Sequence, residues 1–307
     1  MRHPGLLIAL LLVPCLAGPG AQAADAAPVP GQRAVLVTGS SSGIGRAITL
    51  RLAADGCFVY AGVRKDADMT SLAALHNVQP LRLDVTDAQQ IAAAVQTITQ
   101  AGRGLYALVN NAGIGSFAPV VAPHKDELDL TLAVNAVAPY RLVQAFAPLI
   151  LVQKGRIVTI GSIGGVVAGS GAGAYAMSKF AVEGLTDALA AELGPQGVQV
   201  SVAEPGTYVS NISRNAVARG QAPDGIPKSQ EGDPDQVARA VEHALFDAAP
   251  KRRYLVVPSA PQAEFTIRAA MQRLVQLNEG QPYTLDRDAL VKLLDEALVH
   301  SQPRTQQ

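Results

Sequence analysis

Seven short apolar runs recur along the chain, at 34–38, 57–63, 80–84, 105–110, 155–160, 198–204 and 253–257, separated by stretches with helical spacing. Runs this brief and this uniformly apolar suit strands buried on both faces. Their alternation with helices predicts an α/β fold, a parallel sheet of about seven strands flanked by helices on both faces. Beyond residue 258 the pattern changes. Residues 261–277 and 286–299 read as amphipathic helices, with Ile267, Met271, Leu274 and Val275 along one and Leu290, Leu293, Leu294 and Leu298 along the other. They are expected to pack on the same domain; a partner or membrane-surface contact is the alternative. The chain thus divides into a leader (1–23), a linker (24–31), a large domain (32–258) and a helical extension (259–307), with no internal repeat beyond the alternation.

The first strand runs into a glycine-rich turn, Gly39-Ser40-Ser41-Ser42-Gly43-Ile44-Gly45, and then a helix beginning near Ile44. Glycines let a ligand approach the main chain, and unpaired N–H groups at the positive end of a helix suit a pyrophosphate. The spacing is Gly-x3-Gly-x-Gly, which differs from the Gly-x-Gly-x2-Gly of ordinary dinucleotide folds. The same residues formally match Gly-x-Ser-x-Gly, with Ser41 as a hydrolytic nucleophile. That reading is weaker, because several strands precede the nucleophile in hydrolases of that type and only one precedes it here. A structural turn that binds nothing is the remaining alternative.

Tyr175 and Lys179 stand four residues apart, a spacing that places both on one helix face about 6 Å apart along its axis. A nearby ammonium favours the phenolate, and bringing a phenol from about 10 to neutrality takes roughly 4 kcal/mol. Such a group gives and takes a proton at a carbonyl or alcohol oxygen. Ser162 follows the strand-like run Arg156-Ile157-Val158-Thr159-Ile160.

Taken in order, these motifs resemble the short-chain dehydrogenase/reductase family in its compact one-domain form, over roughly residues 32–258. Thr38-Gly39-Ser40-Ser41-Ser42-Gly43-Ile44-Gly45 is similar to the family's cofactor loop, Asp84-Val85 to its adenine contact, and Asn110-Asn111-Ala112-Gly113 to its Asn-Asn-Ala-Gly turn. Asn135, Ser162, Tyr175 and Lys179 fall at the positions of its catalytic tetrad, and Pro205-Gly206-Thr207 resembles the segment beside the nicotinamide. The resemblance implies a Rossmann-type doubly wound sheet and reversible hydride transfer between a nicotinamide and a carbonyl/alcohol pair. It implies Tyr175 as general acid/base and Lys179 as stabiliser of the tyrosinate and ribose ligand. Ser162 would be donor to the substrate oxygen, and Asn135 would hold a water that connects the lysine to solvent. A homodimer or homotetramer is implied by the same analogy.

The second strand ends Gly62-Val63-Arg64-Lys65, with no acid before Asp66. A carboxylate there would bind ribose hydroxyls and repel a 2′-phosphate; Arg64 instead suits the phosphate. NADP(H) is therefore expected over NAD(H), with Ser40 as an added hydroxyl donor. A solvated basic turn is the alternative. For the substrate, residues 207–229 are expected to form a lid and pocket wall carrying Tyr208, Val209, Ile212 and Val217. Glu204-Pro205-Gly206-Thr207 and Ala61-Gly62-Val63-Arg64 are similar to retinol and hydroxysteroid dehydrogenases, which points to a lipophilic alcohol or ketone.

Composition narrows the partners. With 25 basic and 25 acidic residues and no basic stripe, a nucleic-acid partner is not expected. Cys15 and Cys57 build neither a disulfide nor a metal framework, and the five histidines form no metal-spaced cluster. Arg2, an apolar run over 6–17 and Ala21-Gln22-Ala23 read as a secretory leader with a small-residue cleavage site. Cys15 only faintly suggests lipoprotein processing, since Pro14 precedes it. Export, an uncleaved leader touching the membrane, and a cytoplasmic protein with its start assigned too far upstream all remain open; the leader favours the first two, cofactor supply the third. Two other function classes stay in view: a dinucleotide-binding sensor or scaffold without turnover, and an isomerase or dehydratase with a tightly held nucleotide.

Overall fold

The computed structural model describes Val29 and residues 31–121, 126–220 and 231–301; the leader, most of the linker and the 221–229 part of the expected lid lie outside the described residues. Strands β1 (Ala34–Thr38), β2 (Phe58–Val63), β3 (Val78–Arg82), β4 (Ala107–Asn110), β5 (Arg156–Ile160), β6 (Gln199–Pro205) and β7 (Arg253–Val256) form one sheet. Every pairing is parallel, in the order β3-β2-β1-β4-β5-β6-β7. The central strands β1, β2 and β4 are buried at every position, as covering of both faces demands. Pro80 sits in β3, at the sheet edge, where a missing N–H costs least.

Successive residues feed opposite cores. Leu36, Tyr60, Leu108 and Ile157 face α3 (Ala88–Gln100), α5 (Ala138–Val152) and the far end of α6 (Gly173–Leu193). Val35, Val59, Val109 and Val158 face α1 (Gly43–Ala54) and α8 (Asp235–Phe246). Between α1 and α8, Arg51 forks onto Asp235 at 2.9 and 2.7 Å and reaches Glu242 at 3.1 Å. Sheet order reverses between β1 and β4, which opens a crevice at the strands' carboxyl ends.

Some boundaries move. The third strand starts at Val78, two residues early, because Val78 pairs with Val59; the fourth starts at Ala107, since its pairing with β1 begins there. The helical stretch expected over 130–147 is α4 (Glu127–Leu132), a π-helical turn (Ala133–Val137) and α5, with Asn135 inside the widened turn. By length and composition Glu127–Val152 would suit a membrane span, yet Val134, Ala138, Leu142, Phe146 and Ile150 cover the sheet. The short α2 (Asp66–Ala73) follows β2, and the lid region holds α7 (Ile212–Ala218).

The extension departs from expectation. Helices α9 (Ala260–Asn278) and α10 (Arg287–Ser301) form, and Asn278 ties their connection by two hydrogen bonds of 2.9 Å with Leu285. Most of their apolar stripe positions are exposed (Ile267, Met271, Leu274, Val275, Leu293, Leu294 and Leu298), Leu290 is half-buried, and Thr266 is the buried residue of α9. Amphipathic spacing fixes a face, and the face needs a partner surface that the short connection after β7 does not bring over it. Contact with the domain comes instead through Gln262, whose Oε1 accepts from Thr207 N at 3.4 Å, and Arg273, 4.6 Å above the Phe180 ring.

Candidate active site

The crevice is a cleft of about 560 Å³. Its floor is the glycine loop between β1 and α1. Gly39 and Gly43 have φ of 71° and 54°, the left-handed region that favours glycine. A Cβ at Gly45 would lie 2.3 Å from both Asn111 Nδ2 and the Gly39 carbonyl oxygen. That crowding reflects a clamp, in which Asn111 Nδ2 donates to the carbonyls of Thr38 (2.8 Å) and Gly39 (3.2 Å). Thr38 Oγ1 in turn accepts from the N–H groups of Asn111 and Ala112, each at 3.0 Å. Ser41, Ser42, Ile44, Ala112 and Gly113 line the same wall.

Ser40 is a correction. It is buried and donates its hydroxyl to the Val37 carbonyl at 2.8 Å, so it faces inward and offers nothing to a ligand phosphate. Gly43 and Asn135 also stand behind the lining; Gly43 gives room to Ser210, whose Cβ would be 2.9 Å from an added Cβ. Ser41 lines the cleft, as do Tyr175 and Ser162, and no histidine is among the lining residues.

At one end of the cleft Arg64 follows β2, about two-thirds exposed, its guanidinium 3.8 Å from Asp84 Oδ2. Asp66, the first acid after β2, is held by Arg82, which also donates to the Arg64 carbonyl at 2.7 Å. Asp84 accepts from the Thr86 N–H (2.9 Å) and hydroxyl (2.7 Å), and Val85 lines the cleft beside it.

At the other end, the four tetrad positions converge on two glycines. A Cβ at Gly164 would lie 3.0 Å from the Tyr175 ring and 3.3 Å from Ser162 Oγ, so both groups crowd one point. A Cβ at Gly113 would lie 3.4 Å from Asn135 Oδ1 and 3.9 Å from Lys179 Nζ. Ser162 also caps the 3₁₀ turn Ile163–Gly165, accepting from Gly164 N–H at 3.0 Å. Lys179 is buried, and its Nζ donates to the Ile160 carbonyl at 2.8 Å. Desolvation lowers its pKa to about 8, while Glu183 pulls the other way.

The expected lowering of the Tyr175 pKa is not found. Burial raises it, the Ser162 hydroxyl opposes that, and the ammonium lies 5.8 Å from the ring centroid, directed at Ile160. Asn135 also does something unforeseen. Its Oδ1 accepts from Ile114 N–H at 2.8 Å, and its Nδ2 donates to the Ile114 carbonyl (2.9 Å) and Ser178 Oγ (3.0 Å). Ser178 then donates to the Tyr175 carbonyl at 2.7 Å. One side chain thus ties the strand-end segment to the helix that carries Tyr175 and Lys179.

Pro205, the last residue of β6, and Gly206 and Thr207 after it line the cleft. Of the expected lid residues, Ile212 lines it; Tyr208 also lines it but is buried, its hydroxyl donating to Gln236 at 3.0 Å, and Val209 and Val217 are exposed. No motif pointed to Phe117, whose ring centroid lies 5.3 Å from that of Tyr175, or to Ile163, Ala172 and Arg214 in the wall.

A family model described as short chain dehydrogenase matches residues 33–220. The chain is 32% identical to the uncharacterized oxidoreductase YbbO of Escherichia coli over 231 residues, covering 73% of this chain and 86% of YbbO. It is also 32% identical to the mitochondrial D-beta-hydroxybutyrate dehydrogenase of Rattus norvegicus, covering 72% and 76% of the two chains. A crystal structure of a short chain dehydrogenase from Burkholderia cenocepacia in complex with NADP superposes with a TM-score of 0.67 at 25% identity, covering 82% of this chain and 98% of that one. Sheet order, clamped glycine loop and the convergence at Gly113 and Gly164 agree with these matches: the chain belongs to the short-chain dehydrogenase/reductase family and is an oxidoreductase.

Proposed function

We propose that the protein interconverts a lipophilic ketone or aldehyde and its alcohol with NADP(H) as the preferred cofactor. The carrying observation is the meeting of Ser162 and Tyr175 over Gly164, with Lys179 behind them, at the end of a cleft whose other end carries Arg64. The glycine loop fits a dinucleotide, since Gly39, Ser41, Ser42, Ile44 and Gly45 line the cleft at the amino end of α1, where helix N–H groups favour a pyrophosphate. Gly39, Ser41, Ser42, Ile44 and Asn111–Gly113 would hold it, and when bound it supplies or accepts the hydride.

The chain's own residues do the rest. Ser162 donates to the substrate oxygen and polarises the C–O bond. Tyr175 gives the proton to that oxygen in reduction and takes it back in oxidation. Lys179, held on the Ile160 carbonyl, keeps a positive charge near the phenol, and Asn135 fixes the helix turn between them. Asn135 Oδ1 retains lone-pair capacity for a water, which keeps the relay to solvent within this proposal. Phe117, Ile163 and Ile212 give the substrate end an apolar wall, in keeping with a lipophilic molecule.

Arg64 supports NADP over NAD, and Asp66, the first acid after β2, is engaged by Arg82; Asp68, which also lines the cleft, pulls the other way. Assembly as a dimer or tetramer belongs to the same proposal, supported by exposed Leu128 and Tyr140 on α4 and α5 and Met177 on α6. Export or anchoring through the leader does too, supported by the 1–23 pattern; an intact leader in the soluble cytoplasmic fraction of cells making a tagged protein excludes export.

The test is nicotinamide fluorescence with a panel of ketones and alcohols. Net oxidation or reduction of the cofactor supports the proposal. Binding without turnover supports a sensor, and substrate conversion without net cofactor change an isomerase or dehydratase.

A further inference from the structure

Behind Lys179 lies a cluster that the mechanism above does not use. Glu183 stands one helical turn further along α6, Glu204 on β6 immediately before Pro205, and Arg253 opens β7. Glu183 Oε2 accepts from Arg253 Nε at 3.0 Å, and Arg253 also reaches Asp187 at 2.9 Å. Glu183 Oε1 lies beneath the peptide that carries Ser162: a Cβ at Gly161 or Gly165 would come within 3.1 or 3.2 Å of it. Glu204 is buried, with its side chain only 6% exposed, and the cation beside it is Arg253 at 3.6 Å, already committed to Glu183 and Asp187. The Oε1 atoms of both glutamates are buried without a hydrogen-bond partner among the described residues.

Two buried carboxylates cannot both ionise beside each other without compensation, and here the charges close without the second. Lys179 and Arg253 are balanced by Glu183 and Asp187, and Arg252, 3.8 Å from Asp187, lies at the exposed rim. The two carboxylates converge on one atom, Arg253 Nε, which lies 3.0 Å from Glu183 Oε2 and 3.6 Å from Glu204 Oε1, and a proton on Glu204 adds the donor that the cluster lacks. We propose that Glu183 and Glu204 hold a single proton in common, so that one negative charge, carried by Glu183, faces Lys179 and acts as a positioning group for its ammonium. Burial and the facing carboxylate push Glu204 up to about 7, in agreement. Tyr175, its ring centroid 5.8 Å from Lys179 Nζ, is the other titratable group facing the ammonium among the described residues, and it supplies no negative charge at neutral pH. The inference rests on the roles given above to Lys179 and Tyr175.

Infrared difference spectroscopy of the full chain, titrated across neutral pH, reads the shared proton without turnover. The C=O stretch of a protonated carboxylic acid is expected to persist at neutral pH in the wild type and to be missing in Glu204→Gln. In a second measurement, Glu183→Gln is expected to move the alkaline limb of kcat for carbonyl reduction to lower pH by roughly one unit, as the ammonium loses its counter-charge. A wild type without the acid band, or a Glu183→Gln enzyme with an unmoved limb, overturns the inference while the enzyme still turns over. Failure of the underlying mechanism reads differently, as undiminished turnover in Tyr175→Phe.

Discussion

Asn135 grips both backbone polar groups of Ile114, accepting from its N–H at 2.8 Å and donating to its carbonyl at 2.9 Å. The side chain can do this because it sits in a π-helical turn, where the ladder widens and a residue turns toward the strand ends. Its third bond, to Ser178, reaches the helix of Tyr175 and Lys179. Asn135→Ala removes three hydrogen bonds and leaves the half-buried N–H and carbonyl of Ile114 without their partner, at about 1–3 kcal/mol. Chemical denaturation should show that loss, with kcat reduced more than the Michaelis constant for cofactor is raised. Unchanged stability would contradict the clamp.

Arg64 should decide the cofactor. Arg64→Ala removes a charge-assisted pairing worth about 1.5–3 kcal/mol, or roughly 10- to 100-fold in affinity. The Michaelis constant for NADP should rise by that order and the constant for NAD should stay put. Steady-state kinetics with both cofactors checks this, and an unchanged NADP constant contradicts the assignment.

Gly45→Ala tests the loop. The added methyl meets Asn111 Nδ2 and the Gly39 carbonyl at 2.3 Å, so the clamp must open, at about 1–3 kcal/mol. Cofactor binding by fluorescence titration should weaken at least as much as the fold. Gly169→Ala, where an added Cβ meets nothing within 4 Å, serves as the control.

Stability should fall and then recover with pH. The folded Glu204 titrates at about 7 against 4.5 as its ordinary value, so its contribution is fully present below about 4.5 and lost as pH rises through 7. Lys179 runs the other way: its folded value is about 8 against 10.5, the unfolded chain binds more protons in that window, and stability rises across it. Thermal denaturation midpoints should follow both slopes. In Glu204→Gln the acid-side decline should flatten; an identical profile would contradict the burial of that proton.

Much of this was legible in the chain, for reasons that differ by residue. The sheet could be read because buried parallel strands demand unbroken apolar runs, as in Val35-Leu36-Val37 and Phe58-Val59-Tyr60. The glycine loop could be read because backbone geometry admits few residue types there; Asn111 and the full tetrad were legible only through the family resemblance, and the structure brings the four tetrad positions together. Ser40 misled, because a hydroxyl in a tight turn serves Val37 as readily as a ligand. The phenol misled too: i,i+4 spacing puts Lys179 on the right face but does not say that its Nζ turns to Ile160. The meeting of Glu183 with Glu204 was invisible, since it depends on α6 crossing β6 and β7. So was the exposure of the α9 and α10 stripes, because amphipathic spacing names a face and not its cover.

The most direct test of the central claim is single-turnover reduction of a ketone accepted in the substrate panel, comparing wild type with Tyr175→Phe. On the proposed mechanism the phenol donates the proton at the substrate oxygen, so the variant should bind NADPH as tightly and fold as stably as the wild type. The chemical step should slow by roughly 10²- to 10⁴-fold. Turnover within a few-fold of wild type would contradict the assignment of Tyr175 as the acid.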